Sequence, residues 1–196
     1  MSSFDPVHAA MLSMDLQAGI VSIYTRNDEL VTRAGALLQK GREAGVTIVH
    51  VKVGFRPGLP EVHRRNMLLR ALKDSPAHQQ LFTGEPGSFH AAVAPQDGDL
   101  VVTKSRVNAF TGTDLELLLR ANDIYTLVLF GIATSGVVLS TALAAADADY
   151  RIFVVKDCCA DMDDAVHACL IEKVLPRCAT VLSADGLAQM IATRKG

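Results

Sequence analysis

Two charged residues stand at the ends of apolar runs. Asp15 closes HAAMLSMD at residues 8–15, and Lys104 closes LVVTK at residues 100–104. An apolar run that ends on one charge reads as a buried strand whose last side chain emerges at the strand's C-terminal end. A carboxylate and an ammonium brought together there, partly out of water, shift each other's pKa and can position or exchange protons. The same two residues would serve equally as a structural ion pair. A third stretch, LVLFGIATSGVVLSTALAAA at 127–146, reads as a buried strand, a Gly- and Ser-containing turn and a helix of small residues. Parallel α/β proteins place ligands at such joints. Asp157, after the apolar run at 150–155, adds a further charge to the same set of strand ends.

The elements that must position these groups follow from periodicity. Strands are predicted at 8–15, 46–53, 100–104, 124–130, 150–155 and 179–182. Helices are predicted between them. The first is capped by Asn27 or Asp28 and runs to about residue 40, with Leu30, Val31, Ala34, Leu37 and Leu38 on one face. A short helix follows at 61–72, and another, capped by Thr111 or Thr113, runs to about 121. The last three lie at 135–146, from 161–164 to about 175, and at 184–193. Gln17 and Gly19 read as loop. The connection at 74–99, with Pro76, Pro86 and Pro95, reads as a wall or lid over a site. Strands alternating with helices argue a three-layer α/β/α arrangement around a six-stranded, mostly parallel, Rossmann-like sheet. The 196 residues suggest a single domain over 1–196.

Composition removes several classes of function. Nineteen basic and 21 acidic residues give a net charge of −2 with no basic stripe, which argues against a nucleic-acid partner. No apolar run is long enough to span a bilayer and the N-terminus lacks a secretory pattern, so a cytoplasmic location is expected. The four cysteines, Cys158, Cys159, Cys169 and Cys178, lack zinc spacing and read as reduced thiols, mostly in the core. Neither a GxGxxG nor a GxxxxGK[ST] motif occurs, and no cofactor is expected.

Three blocks together resemble the isochorismatase-like hydrolases: MDLQAGIV around Asp15, VVTKSRVNAFTGTDLELLLR around Lys104, and GIATSGVVLSTA. The resemblance runs from about residue 9 to 187 and implies a six-stranded parallel sheet flanked by helices. In that superfamily's cysteine hydrolases the third block reads roughly G-x-x-T-x-x-C-V, with the cysteine opening a helix. Here Gly131 and Thr134 match, and Val137 stands at the cysteine position. A thiolate is a nucleophile and a valine is not, so amide hydrolysis through a cysteine adduct is not expected at that position. The hydroxyls of Thr134, Ser135 and Ser140, and the thiols of Cys158 and Cys159, are weaker substitutes. A route without cysteine exists within the resemblance: isochorismatases cleave a vinyl ether, and an aspartate can protonate the enol carbon while water captures the oxocarbenium ion. Asp15 would be that acid and Lys104 would orient substrate or stabilise charge. The competing expectation is a catalytically silent member, kept as a ligand-binding or oligomer-forming protein.

The resemblance also implies a cis peptide at Ile132–Ala133, which would aim the N–H groups of Ala133 and Val137 into the pocket beside Thr134. It implies a small-molecule substrate and a homo-oligomer, as a dimer or tetramer. Gln17, Arg106 and Asn108 are candidate substrate contacts, Arg106 for a carboxylate. Phe55, Phe89 and Phe110 are candidate apolar walls. His50 reads as a core or strand-end histidine, and His63, His78, His90 and His167 are scattered. The Asp-x-His pattern of metal-binding nicotinamidases is missing from 51–63, so no metal is expected; Asp161, Asp163 and Asp164 read as acids at a helix start.

Overall fold

A computed structural model describes residues 4–25 and 28–193. Six parallel strands form one sheet: β1 (Ala9–Met14), β2 (Thr47–Val53), β3 (Leu100–Lys104), β4 (Thr126–Ile132), β5 (Arg151–Ala160) and β6 (Thr180–Leu182), in the order β3-β2-β1-β4-β5-β6. Every residue of β1 and of β4 is buried. These are the two central strands, and burial on both faces is why they read as unbroken apolar runs. Strand order reverses between β1 and β4, so the crevice beyond their C-terminal ends is the switch point at which such sheets hold ligands.

Eight α-helices among the described residues accompany the sheet: α1 (Ala18–Tyr24), α2 (Glu29–Glu43), α3 (Arg70–Asp74), α4 (Pro76–Gln80), α5 (Leu115–Ala121), α6 (Leu139–Asp147), α7 (Asp164–Cys169) and α8 (Ala184–Ala192). Helix α2 buries Leu30, Val31, Ala34, Leu37 and Leu38, the face that the spacing predicted. Its N-cap is Asp28; Asn27 lies outside the described residues. Asp163 caps α7 by accepting from Ala165 N and Val166 N, and Ser183 caps α8 by accepting from Gly186 N. No helix among the described residues is long and apolar enough to cross a membrane.

Three expectations fail locally. Residues 18–24 form α1 and not a loop, because Ile20 and Val21 turn into the core. No helix covers 61–72. The Asn66 carboxamide accepts from Leu68 N and Leu69 N and breaks the pattern, and helix starts only at Arg70. Strand β5 runs on to Ala160 through a bulge: Leu129 pairs with Val154, but Gly131 pairs with Cys159. Asp157 therefore sits in the bulge and not at a strand end. It pairs with Arg33 at 3.7 Å and accepts from Ala184 N at 2.8 Å, holding the start of α8.

The connection between β2 and β3 carries its own small core of Leu59, Val62 and Leu72, against which Phe55, Leu69 and Phe82 pack. It is thus a built wall over the strand ends.

Candidate active site

Asp15 follows the last residue of β1 with φ +57°, a left-handed conformation that Asp tolerates better than most residues. Its N–H continues the ladder by donating to Val51 O at 2.9 Å. Lys104 ends β3, two strands away, and its long side chain crosses the end of β2 to bring Nζ 2.8 Å from Asp15 Oδ2. Both residues are buried, at 5% and 2% exposure. Lys104 Nζ also donates to Arg106 O at 3.0 Å, whereas Asp15 Oδ1 has no hydrogen-bond partner among the described residues. Burial pushes the Asp15 carboxyl up to about 6, against the opposing pull of the Lys104 charge and hydrogen bond. A carboxyl with that pKa both gives and takes protons near neutral pH.

The turn after β4 completes the floor. Gly131 has φ +140°, and a Cβ there would lie 1.9 Å from Met14 O, so only glycine lets β4 run this close to β1. The Ile132–Ala133 peptide is cis. Residues Thr134–Val138 then make one wide helical turn, with Val138 N donating to Ala133 O across five residues, before α6 begins.

Asp15, Lys104, Ala133 and Val137 line one cavity of about 410 Å³. Its walls come from α1 (Ile20, Tyr24), from the β2–β3 connection (Phe55, Leu72, Phe82) and from Arg106 with Val107. Burial, then the charges of Asp161 and Asp15, raises the Tyr24 phenol, which stays neutral at physiological pH. Open space of this size over Val137 means that the valine does not plug the site.

Not every residue singled out in the sequence reaches this cavity. Gln17 is fully buried in its wall. Its amide donates to Val53 O at 3.1 Å and Gly87 O at 2.8 Å, and accepts from Val53 N at 2.7 Å. Its position corrects the expectation of a substrate contact, since backbone groups already occupy the amide. Asn108 is likewise a loop brace, accepting from Phe110 N and Thr111 N. Arg106 does line the cavity, with its guanidinium donating to Ser105 O. Of the three phenylalanines only Phe55 is a wall; Phe89 meets His50 and Phe110 meets Tyr150. Phe82, Leu72 and Tyr24 went unnoticed in the sequence because apolar residues in a Pro/Gly-rich connection and a short helix carry no motif.

The substitute nucleophiles are placed elsewhere. Thr134 is buried, and its hydroxyl donates to Ala160 O at 3.1 Å. Ser140 donates to Gly136 O. Cys158 and Cys159 are buried and outside the cavity lining, and burial pushes both thiols up, Cys159 to about 12. His50 lies in the core against Asp99 at 3.0 Å, and Arg42 closes that cluster. No group of three or more His, Cys, Asp or Glu among the described residues is arranged to hold a metal ion.

One brace was not foreseen. His167 on α7 places Nδ1 2.8 Å from Thr134 Oγ1. The single Thr134 hydrogen goes to Ala160 O, so His167 must donate from Nδ1. His167→Leu is expected to lower stability by about 1–2 kcal/mol in urea unfolding. His167→Asn, which can offer an N–H at the same place, should restore most of it. Equal losses in both variants would mean that the bond does not hold the turn.

Sheet order, switch-point crevice and the Asp–Lys pair below a strand–turn–helix joint define a parallel α/β protein with a cavity at its strand ends. The isochorismatase domain matches residues 9–186, and the chain belongs to the isochorismatase family. It is 33% identical over 180 residues to the uncharacterized isochorismatase family protein YecD of Escherichia coli O157:H7, covering 90% of this chain and 92% of that one. It is 33% identical over 138 residues to the maleamate amidohydrolase of Pseudomonas putida, covering 70% and 62%. An isochorismatase family protein from Burkholderia thailandensis superposes with a TM-score of 0.85 at 27% identity, over 97% and 98% of the two chains.

Proposed function

We propose that this chain is a hydrolase of a small organic molecule that works through Asp15 and Lys104 without a cysteine adduct, and that it opens a vinyl ether. One observation carries the reading: a buried carboxyl among the residues that line the cavity, held near pKa 6, with Oδ1 free of any hydrogen bond among the described residues and no cysteine in the lining. Protonated Asp15 gives its proton to the enol carbon. Water adds to the resulting oxocarbenium carbon and returns a proton to the Asp15 carboxylate. The hemiketal then separates into a carbonyl compound and an alcohol. Lys104 fixes the carboxyl through Oδ2, and the turn at Ala133 and Val137 bounds the reacting group. Hydrolysis of a C–N bond, as the maleamate amidohydrolase's name describes for that relative, would need a different nucleophile here. A cytoplasmic homo-oligomer, dimer or tetramer, of one domain over 1–196 belongs to the same proposal.

Cysteine replacement supplies the test. The protein and its Cys158→Ala, Cys159→Ala, Cys169→Ala and Cys178→Ala variants are screened against vinyl ethers, amides and carbamoyl compounds. Vinyl-ether turnover that survives each replacement is expected. Turnover lost with any one cysteine, in a variant that keeps its thermal melt, would overturn the cysteine-free route. An absence of turnover in every class, with Val137→Cys gaining amide hydrolysis, would favour a silent family member.

A further inference from the structure

We propose that the cavity takes a molecule whose reacting group is carried on an apolar aryl or branched-alkyl body with at most one carboxylate, and that it rejects dicarboxylates. This rests on the reading of the cavity as a hydrolase site and names that site's substrate class.

The walls supply the first half of the argument. Phe55 and Phe82 meet edge to face, with centroids 5.8 Å apart and planes at 79°. Behind them Leu72 belongs to the small core with Leu59 and Val62. The surface offered to a ligand is thus a packed apolar slab, and Ile20 and Val137 enclose the same space. Such walls reward apolar ligand area and offer almost no partner for a polar body.

The charges supply the second half. Lys104 is answered by Asp15 at 2.8 Å and by Arg106 O at 3.0 Å, and it is almost wholly buried. Arg106 donates to Ser105 O and has no ion pair with a carboxylate among the described residues. It is therefore the one cation on the wall with charge to spare. His78 also lines the cavity and is exposed to solvent. Beyond Arg106 a second, polar cavity opens, but the arginine it adds, Arg56, is already held by Glu61 at 2.7 Å. One carboxylate can thus be paired. A second would lie unpaired against phenyl and leucine side chains, or beside Asp15, and burying an unpaired charge is strongly unfavourable.

Isothermal titration of the full chain at pH 7.5 tests this with 3-phenylpropanoate, its neutral amide 3-phenylpropanamide, and succinate. Both phenyl compounds are expected to bind at least tenfold tighter than succinate. Arg106→Gln should weaken 3-phenylpropanoate at least fivefold and leave the amide within twofold. Leu69→Asp, which puts a carboxylate into a half-buried part of the wall, should weaken both at least tenfold, with a thermal melt to show that the fold persists. Succinate binding as tightly as 3-phenylpropanoate, no binding of either phenyl compound, or an Arg106→Gln variant that treats acid and amide alike would overturn the proposal. Since binding is read apart from turnover, a protein that binds the phenyl compounds but cleaves no vinyl ether refutes only the hydrolase reading. One that cleaves vinyl ethers but prefers dicarboxylates refutes only the substrate class.

Discussion

Asp15→Asn is expected to lower kcat/KM on a vinyl ether by roughly a hundred- to ten-thousand-fold, the range over which one general acid contributes. The asparagine amide keeps the shape of the side chain and can still accept from Lys104, so the cavity persists and 3-phenylpropanamide should still bind. What is lost is the proton. In the native protein that proton is present on Asp15 below its pKa of about 6. Its kcat/KM should therefore be level at lower pH and fall about tenfold per unit once pH rises well past 6, since only the protonated fraction reacts. Initial rates from pH 4.5 to 8.5 for both proteins check this. A rate that rises through pH 6 would mean that Asp15 acts as a base, and turnover unchanged in Asp15→Asn would remove it from the chemistry.

The residues that make this centre were legible in the sequence for a definite reason. Asp15 and Lys104 each end an apolar strand, and a parallel sheet carries all such ends to one edge. Asp157 obeyed the same pattern and still fell elsewhere. The β5 bulge between the partners of Leu129 and Gly131 moved the true strand end to Ala160, and no local signal in RIFVVKDCCA marks the extra residues. Gln17 failed differently. A polar residue just past a strand end is as able to brace backbone as to meet a ligand. Here the N–H and C=O of Val53 claimed it, a contact 36 residues distant in sequence. The apolar wall was the least legible part. Phe82 and Leu72 become a surface only because Leu59 and Val62 pack behind them, and that small core has no periodicity to betray it. His167 was similarly hidden, since its meaning depends on the Thr134 hydroxyl being spent on Ala160 O.

The ion pair itself should be visible in stability, and Lys104→Met is expected to show it with a distinctive pH dependence. The folded-state pKa of Asp15 is raised above the ordinary carboxylate value near 4. Between about pH 4 and 6 the folded state therefore holds a proton that the unfolded chain releases. The unfolded chain binds fewer protons there, so stability declines as pH rises through this window, by about 3 kcal/mol for a shift of roughly two pKa units. Removing Lys104 removes the one influence that holds the pKa down, and the window extends upward. At pH 5 the carboxyl is neutral in both proteins and Lys104→Met should cost little. At pH 8 the variant must bury an unpaired carboxylate or take up a proton, and it should be destabilised by about 3–5 kcal/mol. Urea unfolding at the two pH values measures the difference. The double variant Asp15→Asn with Lys104→Met leaves no charge to titrate and should lose this pH dependence. A destabilisation of the single variant equal at pH 5 and pH 8 would show that Lys104 does not set the Asp15 proton. If it does set it, the falling limb of the variant's residual kcat/KM must also move above pH 6, which ties the stability of the pair to the acid that the proposed reaction requires.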